Sequence, residues 1–298
     1  MSVAAPPRPV APRAAARAAR GTARRRRALH WIAVHAIAVA LAIMFLAPVV
    51  FVGLTALMTD EQALTSQLWP QDWHWGNFVT VFADSQLMTW MVNSFLYAGL
   101  ATVFMLLSSI PAAYALARFR FRGRRFMLLL VIAWMMLPPQ VVAIPVFTIW
   151  VNLGLTGSLW PLILPMLLGD CFSIFLLRQF LVSIPRDYFD AAQVDGCSDF
   201  RTLVKVVLPM ARPAIAAVAM FSFFYCWNDY YGPLLYTDPG DQSGWTLSLG
   251  LATFKAFHSV QWNLTMAATL LVTAPVIIVF FLAQRVFIEG VTLTGVKG

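Results

Sequence analysis

The sequence predicts an all-α membrane protein of six transmembrane helices with both termini cytoplasmic, on three observations. Only 11% of its 298 residues are charged while 60% are hydrophobic, against roughly 25% charged in ordinary soluble domains. Long stretches contain no Asp, Glu, Lys or Arg, and a helix needs about 20 predominantly apolar residues to cross roughly 30 Å of hydrocarbon. Basic residues are gathered in alternate connections, which is the pattern left when Lys and Arg are retained on the cytoplasmic face.

Residues 1–30 are rich in Pro, Ala and Arg and read as a disordered basic cytoplasmic tail, attracted to anionic lipid headgroups. The run Arg24, Arg25, Arg26 and Arg27 raises nucleic-acid binding, but the tail has no aromatic residue and leads directly into a span. It also shares an Arg-rich, acid-free composition with transit peptides. The first span, residues 31–58, exceeds the h-region of about 7 to 15 residues in a secretory signal and lacks a small-residue cleavage site, so it is expected to stay in the mature protein. Residues 31–298 then form one six-helix domain with its core at about 85–288.

The second helix lies within 85–117. The uncharged run 126–169 is too long for one helix, and Asn152, Gly154, Thr156, Gly157 and Ser158 mark a turn between a third and a fourth. The fifth covers 214–236, interrupted only by Asp229, and the sixth lies between Lys255 and Arg285. An even count returns both termini to one side. Of the 21 basic residues, all but Lys255 fall in the tail, in 118–125, in 178–212 or at the C-terminal end. The connection after the first helix carries Asp60, Glu61, Asp72 and Asp84 and no basic residue. Topology thus accounts for the net charge of +8.

Catalysis finds no support. Cys171, Cys197 and Cys226 form no disulfide framework, and His30, His35, His74 and His258 show no zinc-ligand spacing. Neither a metal nor another cofactor is expected on this chain, and the absence of a GxxxxGK[ST] loop means that any nucleotide is bound elsewhere. Residues too polar for lipid are candidates for a solute path. Asp170, Asn228 and Asp229 would each cost at least about 2.5 kcal/mol at a bilayer centre, so they face protein or water. Tyr225, Trp227, Tyr230 and Tyr231 surround the last two, and aromatic faces suit the C–H surfaces of a sugar ring. The same aromatics also fit an interfacial belt, with Asp229 capping a helix. Pro138 and Pro139 interrupt the third helix beside Gln140, either as a hinge lining the path or as a static kink. Asn93 and Ser94 are either path-lining or bonded to a neighbouring backbone.

Residues 184–213, IPRDYFDAAQVDGCSDFRTLVKVVLPMARP, read as two short helices. Pro185 opens the first, Asp187 and Asp190 suit its positive end, and Gly196 stops it. Ser198 caps the second, whose residues Phe200, Leu203, Val204, Val207 and Leu208 form an apolar face before Pro209 ends it. Ala191 and Ala192 permit close approach of another protein.

This segment resembles the EAA loop of ABC importer permeases, through Asp190, Ala191, Ala192, Gly196, Leu208 and Pro209, with Asp190 where Glu is usual. The resemblance extends over about 31–298 through Arg122-Gly123-Arg124, Pro138-Pro139-Gln140, Leu177-Arg178-Gln179-Phe180, Trp227-Asn228-Asp229-Tyr230 and the terminal Gly295-Val296-Lys297-Gly298. Together these look like the sugar-type, maltose-transporter-like branch of the MetI-like permeases. The resemblance implies a cytoplasmic coupling helix between helices 4 and 5, with Asp187, Asp190, Ala191, Ala192, Asp195, Gly196, Leu208 and Pro209 in the coupling segment. It also implies a heterodimer with a second permease subunit, two cytoplasmic ATPase subunits holding ATP and magnesium, and an extracytoplasmic solute-binding protein. The chain itself would be no enzyme, but half of a path for a carbohydrate-like solute in a bacterial cytoplasmic membrane. An ion-coupled secondary transporter or channel using Asp170 and Asp229 is the alternative.

Overall fold

The computed structural model describes residues 13–84, 86–257 and 261–294. Residues 1–12 of the tail, His258 and the terminal Gly295-Val296-Lys297-Gly298 motif lie outside the described residues. Among the described residues every regular element is helical. The chain divides into two units at Leu54/Thr55. The first is occupied by α1 (Arg13–Ala56), which begins inside the segment read as a tail, where Ala and Arg favour helix. Its stretch Leu29–Ala56 has a mean hydropathy of 2.8 and is long enough to cross a membrane.

The second unit opens with α2 (Asp60–Ala63) and α3 (Gly76–Asp84). Asn77 ties this region down by donating through Nδ2 to the carbonyls of Ala56 and Met58, each at 2.9 Å. The 32-residue α4 (Leu87–Arg118) follows and is the axis of the unit. Its buried face carries Ser94, Ala98, Ala101, Ser109 and Ala113, small residues that let neighbouring backbones approach closely in the absence of a hydrophobic driving force.

The third expected span is broken into α5 (Arg124–Met135) and α6 (Pro139–Asn152), which meet at 98°. Pro138 has an extended ψ of 130° and Pro139 sits at the first helical position, so the pair starts a new helix in a new direction. Neither piece, at roughly 18 and 21 Å, crosses the hydrocarbon alone. The turn expected at residues 152–158 is present, and Gly157 donates to the Tyr236 carbonyl at 2.7 Å. The chain resumes in α7 (Trp160–Ile163), a 3-10 turn and α8 (Cys171–Ser183). Leu177-Arg178-Gln179-Phe180 lies within α8.

Next come α9 (Asp187–Val194), α10 (Asp199–Thr202) and α11 (Leu208–Met210). Ser198 is the N-cap of α10 and accepts from the Arg201 amide, as its sequence position suggests. A π-helical turn at Leu203–Val207 shifts the register, so Leu203 and Val207 are buried whereas Phe200 is 76% exposed. The regular apolar face expected of this segment is therefore divided. Pro209 opens α11 instead of ending a helix, and the chain turns by 80° into α12 (Arg212–Asn228). The fifth span does not continue to Tyr236: α12 stops at Asn228, and α13 (Tyr231–Tyr236) is a separate helix. The fold closes with α14 (Leu247–Phe257) and α15 (Trp262–Thr294).

Two hydrophobic clusters share α4. One gathers Trp90, Tyr97, Trp227, Trp245 and Leu264, and the other Met105, Tyr114, Leu177, Phe189 and Val207. Four stretches are long and apolar enough to cross a membrane, or up to six if each bent pair is one span. Close approach is tightest where Gly250 of α14 lies against the Trp90 ring, which is 4% exposed and cannot yield to an added Cβ. Gly250→Ala is expected to cost about 1–3 kcal/mol and lower the thermal unfolding midpoint in detergent. Gly76→Ala, with no heavy atom near its added Cβ, serves as the unaffected control.

Candidate functional site

The sequence-predicted path residues occupy three different places. The first is a cleft of about 550 Å³ where the breaks of the third and fourth spans meet α12. Pro139, Asp170, Ser173, Ser222 and Tyr225 line it, with Trp134, Phe172 and Phe221 as aromatic walls. Asp170 is not within a helix but is the N-cap of α8. Its Oδ2 accepts from the Ser173 amide at 2.8 Å and from the Ser173 hydroxyl, satisfying donors that the helix start leaves open. The break before it is made by Gly169 at φ 97°, a conformation that a side chain would disfavour. The Asp170 amide donates to Ser109 Oγ of α4 at 3.1 Å. Because both cap bonds fall on Oδ2, Oδ1 is not spent on the cap. Tyr225 is 63% exposed. Gln140 is exposed next to the Pro138–Pro139 break, outside the residues lining the cleft.

The second place is the end of α12. Asp229 accepts at Oδ2 from the Tyr97 hydroxyl at 2.9 Å and at Oδ1 from the Gly232 amide at 3.0 Å. Its carbonyl accepts from the Ser248 hydroxyl. Asp229 therefore pins together α4, α13 and α14, and both of its carboxylate oxygens are occupied. Gly232 fits only without a side chain, since a Cβ there would lie 2.7 Å from Leu162. Trp227 is also structural: it is 3% exposed, edge-on to Phe95 with centroids 4.8 Å apart, and stacked on Phe223. The third place is a cleft of about 430 Å³ shared by Asn228, Tyr230, Ser248 and Thr273, between α12, α14 and α15. Asn228 bonds its own helix at the Phe224 carbonyl, 2.8 Å away.

Asn93 and Ser94 are bonded to neighbouring backbone. Asn93 donates to the carbonyls of Ser243 and Trp245 at 2.7 and 2.8 Å, and Ser94 accepts from the Leu247 amide at 2.8 Å. In the same loop, the Ser243 amide and hydroxyl hold the Asp241 carboxylate below the usual carboxylate range.

At the opposite end of α4, α9 presents two faces. Phe189 and Ala192 are buried, Phe189 stacking on Tyr114 with centroids 6.4 Å apart. Tyr188, Ala191 and Val194 are exposed, Val194 by 89%. Gly196, at φ 74°, ends the helix after the Asp195 cap, and Asp187 and Asp190 occupy its first turn, where negative charge suits the helix dipole. Asp190 pairs with Arg118 at 3.7 Å, and the same guanidinium lies 5.0 Å over the Phe189 ring. Leu208 and Pro209 belong to α11, beyond the π-turn. Arg124 and Arg178, singled out only as parts of motifs, both cap the C-terminal carbonyls of α4. The Leu116 carbonyl accepts from Arg124 Nε at 2.9 Å and from Arg178 Nε at 3.3 Å, and the Ala117 carbonyl from Arg124 Nη2 at 3.2 Å. In the sequence, Arg124 lies just past the predicted end of the second span, and Arg178 follows two predicted spans later.

Residues 106–292 match the family described as the inner membrane component of binding-protein-dependent transport systems. The chain belongs to this family. It is an ABC importer permease, and the ion-coupled alternative falls away. The permease is 33% identical to the arabinooligosaccharides transport system permease protein of Halalkalibacterium halodurans, over 74% of this chain and 79% of that one. It is 31% identical to a diacetylchitobiose uptake system permease protein of Streptomyces coelicolor, over 90% of this chain and 97% of that one. Its fold matches a chain in the crystal structure of a bacterial ABC transporter involved in import of the acidic polysaccharide alginate. The TM-score is 0.75 at 23% identity, covering 88% of this chain and 97% of the other.

The double role of Asp229 gives a graded expectation. Asp229→Ala leaves the Tyr97 hydroxyl and Gly232 amide without their acceptor and is expected to cost about 2–4 kcal/mol, read as a lower unfolding midpoint in detergent. Asp229→Asn keeps one amide oxygen as acceptor and is expected to lose less than half of that.

Proposed function

We propose that the permease crosses the bacterial cytoplasmic membrane six times, with both termini cytoplasmic, and that α9 is its docking element for a cytoplasmic ATPase. In this reading the bent pair at Pro138 forms the third span and α12 the fifth, and the basic connections around 118–125 and 178–212 lie on the cytoplasmic side. A second permease subunit completes the path, two ATPase subunits bind ATP with magnesium and hydrolyse it, and an extracytoplasmic binding protein delivers solute. Family membership supports these partners.

The observation that carries the docking assignment is the outward face of α9. Tyr188, Ala191 and Val194 are exposed on a short helix that in this reading lies in water, where an apolar face gains by being covered. Ala192, the other alanine of the motif, is buried against its own chain and serves packing instead.

The solute is carbohydrate-like, a reading supported by relatives whose names specify arabinooligosaccharides and diacetylchitobiose. Among the path residues, those of the 550 Å³ cleft fit it best. Phe172 and Tyr225 offer ring faces to C–H surfaces, and Asp170 and Ser222 offer groups that bond hydroxyls. Pro138 and Pro139 place the break of the third span at its edge, as a hinge would require.

Reconstitution with the partner subunits and binding protein tests both parts. Ala191→Glu and Val194→Glu are expected to reduce substrate-stimulated ATP hydrolysis at least about tenfold while insertion and unfolding stay normal. Normal stimulation in both variants, or transport without any ATPase, rules the docking role out. Tyr225→Ala, at an exposed position, is expected to lower transport of an arabinooligosaccharide or chitobiose probe with stability unchanged, and unaltered transport removes Tyr225 from the path.

A further inference from the structure

A cavity of about 530 Å³ lies between the C-terminal end of α4, the end of α8 and α9. Four guanidinium groups line it, from Arg118, Arg120, Arg124 and Arg186, against the two carboxylates of Asp190 and Asp199. Arg118 is paired with Asp190, and Arg124 is partly committed to the α4 carbonyls. Arg120 and Arg186 make no ion pair among the described residues. The cavity is therefore cationic, with planar donors to spare. Tyr114 supplies an independent sign of a missing partner. It lines the same cavity and is 4% exposed, yet its hydroxyl is buried with no hydrogen-bond partner. Leaving such a group unpaired costs about 1–3 kcal/mol, and native proteins rarely tolerate it. A hydroxyl and several guanidinium donors around one space call for an anion with several acceptor oxygens, which is the chemistry of a phosphate.

The position narrows the source. Arg118 is the last residue of α4 and Ile184 caps α8, so the cavity opens where two apolar helices end. That is headgroup depth, where basic pockets between helices meet the anionic lipids of the cytoplasmic leaflet. We propose that the cavity bounded by Tyr114, Arg118, Arg120, Arg124 and Arg186 holds the phosphate of an acidic phospholipid headgroup. The lipid sits directly behind the buried face of α9, beside Phe189 and Asp190. The inference rests on the six-span topology only for which leaflet supplies the lipid.

The test is native mass spectrometry of the full chain in detergent, with dioleoyl phosphatidylglycerol and dioleoyl phosphatidylcholine offered in turn. The native chain is expected to retain phosphatidylglycerol at least about tenfold better than phosphatidylcholine. The double variant Arg120→Gln with Arg186→Gln is expected to abolish that preference. Tyr114→Phe is expected to weaken retention about tenfold. It removes one oxygen while keeping the rings against Phe119 and Phe189, so it decides the matter even if the double variant fails to fold. Equal retention of the two lipids, or retention unchanged in Tyr114→Phe, overturns the proposal. Displacement of phosphatidylglycerol by excess inorganic phosphate assigns the site to a soluble phosphate and overturns the lipid source. These variants leave Tyr188, Ala191 and Val194 intact, so loss of lipid preference and loss of ATPase docking are read separately, and either can fail without the other.

Discussion

A backbone amide or carbonyl inside hydrocarbon has no water to bond, and the second unit of this protein is arranged to meet that demand wherever a helix stops. The partner is usually α4. Its Ser109 accepts from the Asp170 amide where the fourth span breaks, and its Tyr97 bonds Asp229 where the fifth stops. Asn93 and Ser94 satisfy the loop that leads into α14. The carbonyls at its own C-terminal end are capped by arginines from α5 and α8. One long helix with a small-residue face can reach all of these points because neighbouring backbones lie close to it.

The breaks are therefore not defects in otherwise continuous spans. A helix interrupted at Gly169–Asp170 exposes amides that a carboxylate can cap, and the carboxylate is then held at the edge of a cleft. The 98° turn at Pro138 brings Pro139 to the same cleft. Asp229 follows the same logic with the opposite result, because both of its oxygens are consumed by Tyr97 and Gly232. Two aspartates that look equivalent in an apolar sequence thus differ in what they have left to offer a solute.

This difference was not legible in the sequence. Hydropathy located the helices long and apolar enough to cross a membrane, since it is a sum over many residues. Local chemistry was legible too where one residue decides it: Ser198 as a cap, Gly196 as a stop, and the Pro138–Pro139 break. What escaped were facts set by contacts distant in the chain. Trp227 lies among Phe95 and Phe223 in the core, Asp229 is bonded from 132 positions away by Tyr97, and Ala192 turns inward while Ala191 does not. In a helix apolar on every side the 3.6-residue pattern carries little information about which face meets protein and which meets lipid. The π-turn at Leu203–Val207 further defeats face assignment, because it moves every later residue around the helix.

The two ends of α4 are linked by the same economy of contacts. Phe189 of α9 stacks on Tyr114, and Asp190 pairs with Arg118, both near the C-terminal end of α4. Farther along, α4 holds the amide of Asp170 and then the carboxylate of Asp229. A close-packed interior has few intermediate arrangements, so displacement of α9 cannot be absorbed locally without breaking the stack or the ion pair. If α9 is where an ATPase pushes, the first structure to receive that push is the helix that also holds the Asp170 break at the cleft and Asp229 at the end of α12. The Arg-lined cavity sits at that junction, and Asp190 is shared between it and the ion pair with Arg118. An anion bound there would compete with Asp190 for Arg118, so its occupancy would set how firmly α9 is fastened to α4.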